Sequence, residues 1–389
     1  MNAAQPLSDP ITGSSVNRDM TPKNAYVLRA QLRRINPCTR EKRCGLVVRR
    51  RDENASIVVT GDGDHARVRM DGVQTCNHVW SCPVCSMAIT KQRHAEVVQS
   101  MLGLPSVWRM ITLTLRHSST DSLSVLLRGI YRALKLWRAD GSVARWWRDH
   151  VVAMIRVVEI TYGQRSGWHP HVHFLVSMQA DFDIEKNQDV LSDAWARAVV
   201  SAMGRDHRPA PAIGFSWSAT TCDTTDGEIS RASSYVTKTG LEITGRFKMS
   251  PDGHYQQWAL AAVAAAYPVG WAAKLWGEFV LATRGHRRLE ESRGARLARK
   301  RYRDNMISDV FDESDPPGSK RISIPVCSDD LAIIRAAERL DPACIPRLLE
   351  TVRVSKTPQT AYDMAMIVML DGLSDHVTIV APHGRDRPS

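Results

Sequence analysis

Three runs in the middle of the chain read as strands: residues 109–116 within WRMITLTLRH, 152–162 around IRVVEITY, and 168–178 in WHPHVHFLVSM. Each is rich in β-branched or aromatic side chains, the composition that fits a pleated, partly buried surface. In the third run polar and apolar positions alternate. His169, His171 and His173 therefore share one face, and Pro170, Val172 and Phe174 the other. The second and third runs are joined by GQRSG, a Gly-bounded loop that reads as a hairpin turn. Folding the hairpin about Arg165 brings Glu159 beside His171. Helical spacing appears in two other places: SMAITKQRHAEVVQSML, with Lys91, Arg93 and His94 on its polar side, and GEISRASSYVTKTG, where Glu228, Arg231, Tyr235 and Lys238 fall on one face.

The apolar run Ala259 to Ala273 is short and broken by Pro268 and Gly270, so no membrane span is expected. The first twenty residues are polar, and a disordered tail over 1–30 of a cytoplasmic protein is expected rather than a signal peptide. The whole chain has 389 residues, 43% of them hydrophobic, which excludes disorder or a fibre as a description of the whole. Its 52 Lys and Arg against 41 Asp and Glu leave a net charge of +11 and point to a polyanionic partner: DNA, RNA or acidic lipid. Nine of the twenty residues from Arg284 to Arg303 are Lys or Arg, either a solvated helix face or a phosphate-contacting arm.

The expected division is a cysteine-rich module at 31–104, a strand-and-helix domain at 105–285, a basic segment at 286–304, and a linker with a small C-terminal region at 305–389. Eight cysteines are too few for a disulfide scaffold in a chain of this length, which leaves metal binding as the use of a cluster. Cys76, Cys82 and Cys85 stand in TCNHVWSCPVCS, and Cys44 precedes a hairpin expected at Leu46–Val48 and Ser56–Val59. Four thiolates suit a structural Zn²⁺, with Cys38 and His78 as competitors for the fourth place.

Glu159 sits in an otherwise apolar strand, where an unpaired carboxylate costs several kcal/mol, so a cation should neighbour it. Glu159 with His171 and His173, and His169 on the same face, suits Mg²⁺ or Mn²⁺, and zinc also fits. The alternative is an arginine paired to Glu159 across the sheet.

Taken in order, these motifs resemble the rolling-circle replication initiators (Rep proteins) of bacterial plasmids, within the HUH endonuclease superfamily and closest to its actinobacterial branch. WRMITLTLRH is similar to the first motif, and GWHPHVHFLV to the metal motif, where His171, Val172 and His173 form the HUH element. SYVTKTG is similar to the third, with the nucleophilic tyrosine and a lysine one turn on. TCNHVWSCPVCSMAITKQR and LWGEFVLATRGHRRLEESRGARLA resemble the segments that flank these in that branch. One departure stands out: the position one turn before Tyr235, a glutamate in some relatives, is Arg231 here, and Glu228 lies two turns back.

The resemblance implies an α+β fold with a central antiparallel sheet and flanking helices, preceded by a small zinc module. It implies that Tyr235 attacks a phosphodiester of the plasmid origin to form a 5′-phosphotyrosyl link and free a 3′-hydroxyl primer. Lys238 would favour the phenolate, and Glu228 would act in later strand joining. Lys91, Arg93, Arg287 and Arg288 are the expected DNA contacts, and the partners are duplex and single-stranded origin DNA with a host helicase and polymerase. Competing readings are a relaxase or single-strand transposase of the same chemistry, a zinc-dependent regulator that binds DNA without cleaving it, and a hydrolase of small phosphoesters.

Overall fold

The computed structural model describes residues 21–50, 54–61, 66–104, 106–178, 185–217, 222–223, 254–306 and 321–374. In chain order the elements begin with helices α1 (Pro22–Leu32) and α2 (Thr39–Arg43), strands β1 (Ala55–Thr60) and β2 (Arg67–Asp71), and helix α3 (Pro83–Leu102). Next come β3 (Val107–Leu113), α4 (Leu123–Ala139), α5 (Gly141–His150), β4 (Val151–Gly163), β5 (Gly167–Met178) and α6 (Glu185–Met203). After α7 (Pro211–Gly214) follow β6 (Phe215–Trp217), β7 (Cys222–Asp223), β8 (His254–Gln256), α8 (Gln257–Ala266), α9 (Trp271–Thr283), β9 (Leu289–Glu291) and α10 (Arg293–Met306). The last are β10 (Arg321–Val326), α11 (Ser328–Leu340), α12 (Cys344–Val354) and α13 (Pro358–Ser374).

The chain divides into two compact units. The larger, drawn from residues 34–38 and 77–311, holds an antiparallel sheet of order β6-β3-β5-β4-β8, with β7 added to β3 and β9 to β4. The expected mixed α+β class, with an antiparallel sheet and flanking helices, is what the chain forms. The β4–β5 hairpin pairs over nearly its whole length, from Ala153 opposite Ser177 to Gly163 opposite Gly167. Its turn depends on Gly167, whose φ of +78° suits glycine and where a Cβ would come within 2.8 Å of the Ser119 backbone.

One sheet face is an aromatic core, with Trp137 edge-on to Trp147 and Trp195 and tilted against Phe174. On the other face Trp108, Ile155, Val157 and Leu175 pack against Val97 and Met101 of α3 and Ala295 of α10. Asp140 starts α5 as its N-cap, its carboxylate accepting the Ser142 N–H at 3.0 Å.

The smaller unit joins residues 22–33 and 39–76 to the chain beyond 312. Its antiparallel sheet has the order β10-β1-β2, with Ile57 opposite Ile324 and Met70. Ile57, Ile324, Ile334, Ile345 and Val352 form its core. This differs from the division expected from sequence in three ways. The C-terminal region is no separate appendage, because RISIPV supplies an edge strand that β1 needs to bury Ile57 and Val59. The hairpin read at Leu46–Val48 and Ser56–Val59 does not form; Val48 bridges Val73, and β1 pairs β2 instead. Residues 22–30, expected in a disordered tail, are helical and bury Ala25 and Leu28. Arg33 is committed to the buried Glu338 at 2.8 Å and to the Cys44 carbonyl at 2.8 Å.

Candidate metal centre

Hairpin register builds the site. Glu159 is directly opposite His171, and His173 lies between Val157 on one side and Thr112 of β3 on the other. All five side chains project from one sheet face, because pleating returns every second residue to it. The Glu159 Oε2 atom is 3.0 Å from His171 Nε2 and 3.4 Å from His173 Nε2. One donor atom from each of the three lies within 4.8 Å of the others, a spacing one cation can bridge. The side chains keep 19%, 13% and 21% of their surface exposed, so the donors face an approachable surface rather than a closed core.

Burial pushes the Glu159 carboxyl up, but the hydrogen bonds and charge of His171 and His173 more than reverse this and hold it well below the ordinary carboxylate range. The carboxylate is therefore ionised and available as a ligand. Among the described residues the arginine alternative finds no direct partner for Glu159; Arg156, on the opposite side of β4, pairs with Glu290 at 2.7 Å. Thr112 Oγ1 stands 2.9 Å from His173 Nδ1 and fixes the ring with Nε2 toward Glu159, the usual second contact of a ligating imidazole. His171 Nδ1 is buried without a hydrogen-bond partner.

His169 takes a different part from the one its alternation suggested. It lies opposite Thr161 near the hairpin end, where its Nδ1 is 2.7 Å from His117 Nε2, and His117 Nδ1 is 3.0 Å from the Ser166 carbonyl. Burial, then the neighbouring His171 and His117, lower its pKa to about 4 against the pull of Glu159, so it is neutral at pH 7. His117 is the residue that strand pattern alone did not single out, although it ends the WRMITLTLRH run.

Tyr235, Lys238 and Glu228 lie outside the described residues. Of the cysteines, Cys44 and Cys76 meet in the smaller unit, the Cys76 N–H donating to Cys44 Sγ at 3.4 Å. In the larger unit Cys82 is the N-cap of α3, Pro83 follows at N1, and Cys85 is in the first turn, where the helix dipole favours negative charge. All four are buried. Cys38 and His78 instead line a cavity of about 260 Å³ with Trp80 and His286.

Among the expected DNA contacts, Lys91, Arg93 and Arg287 are exposed. Arg288 is not: it is 7% exposed, with its guanidinium 5.4 Å from the centroid of the Trp80 ring. Burial lowers its pKa to about 10, opposed by Glu159, and its backbone carbonyl accepts the Val158 N–H at 2.9 Å. Alternating charge with burial is invisible in a basic run, so Arg287 and Arg288 looked alike in sequence. No helix among the described residues is long and apolar enough to cross a membrane.

Residues 67–240 match a family described as replication protein, a stretch that contains Glu159, His171, His173 and Tyr235. The chain is 30% identical over 135 residues to a protein named Protein rep from Streptomyces lividans, covering 27% of this chain and 30% of that protein. It is 29% identical over 157 residues to a protein named neomycin resistance protein from Streptomyces cyanogenus, covering 32% of this chain and 35% of that protein. The matches thus span about a third of the length of these relatives. No solved structure matches. The resemblance to plasmid replication initiators of the actinobacterial type therefore holds over the region that carries the site.

Proposed function

We propose that this chain initiates rolling-circle replication of a plasmid by nicking one strand of its origin. The observation that carries the reading is the convergence of Glu159, His171 and His173 on one partly open sheet face, inside the stretch that matches replication proteins. Two imidazoles and one ionised carboxylate form a donor set that fits Mg²⁺ or Mn²⁺. A cation held there would draw charge from the non-bridging oxygens of a phosphodiester.

In this account Tyr235 Oη attacks the phosphorus and forms the phosphotyrosyl bond, the bond from phosphorus to the 3′ oxygen breaks, and that oxygen leaves as the 3′-hydroxyl once it takes up a proton. A phenol of ordinary pKa, about 10, is mostly protonated at neutral pH. Lys238, three residues on in the sequence, favours the phenolate by its charge. The phosphotyrosyl bond conserves the energy of the broken one, so the reverse reaction on a returning 3′-hydroxyl rejoins the strand, and in this reading Glu228 takes that proton. Thr112 holds the His173 ring. A structural Zn²⁺ on Cys44, Cys76, Cys82 and Cys85 accompanies this reading; in its support, Cys44 and Cys76 are already in contact, and Cys82 and Cys85 share the first turn of α3.

The test is incubation of the protein and of Tyr235→Phe with Mn²⁺ and labelled single-stranded oligonucleotides tiling the candidate origin, resolved on a denaturing gel. A protease-sensitive adduct formed by the native protein and absent from Tyr235→Phe is expected. An adduct that survives in the variant moves the nucleophile elsewhere, and duplex binding without any adduct favours a regulator.

A further inference from the structure

The cations of α10 lie in a stripe. Arg293, Arg296, Lys300 and Arg303 recur every three or four residues and are exposed, while Ala295 and Ala298 point inward and are buried. From Arg293 to Arg303 the stripe is about 15 Å long at the α-helical rise. At its N-terminal end, Arg296 and Arg299 line a surface recess of about 580 Å³ together with Arg93 of α3 and Arg287.

The acids here are already engaged. Glu290 is held by Arg156 at 2.7 Å, and Glu291 by Arg299 at 2.9 Å. Glu96 is held by Arg299 at 3.1 Å and also by Arg93. Asp304 is the exposed acid left on the helix, against the four cations of the stripe and Arg287. The surface therefore carries an excess of positive charge on a rigid support, because α10 is packed through Ala295 onto Ile155 and Val157.

The form of the surface distinguishes among polyanions. A helix that lies in a lipid surface buries a broad apolar side there, whereas the inward side of α10 is occupied by the protein and its outward side is mostly basic, with Leu297 an isolated exposed apolar side chain rather than a broad patch. Sequence-tolerant binding of single strands uses exposed aromatic rings for base stacking, and no stripe residue is aromatic. Duplex DNA offers a stiff, closely spaced array of phosphates, one per ~1.7 Å of axis, that a straight row of guanidinium and ammonium groups can follow.

We propose that Arg287 and the α10 stripe of Arg293, Arg296, Lys300 and Arg303 hold the phosphate backbone of duplex DNA, independent of sequence, beside the sheet face that takes the strand to be cut. The biological use of this surface rests on the replication-initiator reading; its chemistry does not. Val157, which α10 covers, is the residue opposite His173, so the stripe and the metal donors belong to adjacent parts of one layer. Phosphate contacts of this kind set position and leave base choice to other groups.

The test is fluorescence anisotropy of a short mixed-sequence duplex titrated with the full chain at several salt concentrations. R296A/K300A/R303A should bind on the order of 100-fold more weakly at low salt, and its plot of log K against log salt should be shallower by about 3, at 0.9 per lost phosphate contact. R128A/R132A/R145A removes the same charge from exposed positions on α4 and α5 and should change neither quantity. R296K/R303K, with charge kept, should retain the slope, and equal melting temperatures verify that each variant is folded. The proposal is overturned if the stripe variant matches the native protein, if the control variant falls equally, or if the native protein does not bind the duplex or prefers phosphatidylserine vesicles to it. Covalent adduct formation by the native protein on single-stranded oligonucleotides reports separately on the initiator reading. A lost slope without any adduct leaves the surface standing and removes the reading, and an adduct with an unchanged slope does the reverse.

Discussion

Along β4 and β5, one face of the larger sheet carries two chemistries a few residues apart. Ile155 opposite Leu175 is sealed under α3 and α10, whereas Glu159 opposite His171, four residues along β4, keeps part of its surface exposed. The backbone is the same antiparallel ladder in both halves. The difference lies in what covers it: helices supply apolar partners at one end and leave polar donors accessible at the other. The covered half fixes the strand register, and the register in turn sets Glu159 against His171 and His173, so rigidity made in one half is used in the other.

That division of labour can be broken from either side. The largest stability effect is expected from Leu175→Ala, which empties a buried site and should cost about 2–5 kcal/mol in urea denaturation, while the folded protein keeps its Mn²⁺ affinity. A loss well under 1 kcal/mol would show that the covered half does not anchor the hairpin. Next comes Thr112→Val, which removes the His173 Nδ1 contact; it should weaken Mn²⁺ binding by about 10–100-fold with little change in stability. Unchanged affinity in a calorimetric titration would mean that packing alone orients the ring.

The smallest effect is remote from both halves. Asp140→Ala removes the α5 N-cap and should cost about 1 kcal/mol at pH 7. The hydrogen bonds from Ser142 and Arg197 lower the Asp140 pKa to about 2. Its contribution is therefore present above the ordinary carboxylate range and lost as pH falls through about 2. Native protein and variant should converge in stability at that acidic end, and a difference that persisted there would exclude the carboxylate as its source.

Much of the site was legible because strand alternation has a period of two: three histidines in WHPHVHF and one glutamate in IRVVEITY declare a face, and a Gly-bounded loop sets their register. What alternation cannot distinguish is which histidine turns toward which neighbour. His169 and His171 share a face, yet His117, fifty-two residues upstream of His169, takes the first. The larger sheet was readable for the same local reason. The smaller one was not, since β10 pairs with β1 across more than 260 residues and nothing local in RISIPV names its partner. Burial of Arg288 beside an exposed Arg287 is likewise a tertiary outcome, settled by Trp80 and the Val158 backbone.

The central claim is that the uncovered half of the sheet face binds a divalent cation through Glu159, His171 and His173. Mn²⁺ electron paramagnetic resonance titration tests it most directly, on the native protein and on Glu159→Ala, His173→Ala and His169→Ala. The account predicts one tight Mn²⁺ in the native protein, none in the first two variants, and one retained in His169→Ala. Retention of the tight ion in Glu159→Ala and His173→Ala, or its loss only in His169→Ala, would contradict it.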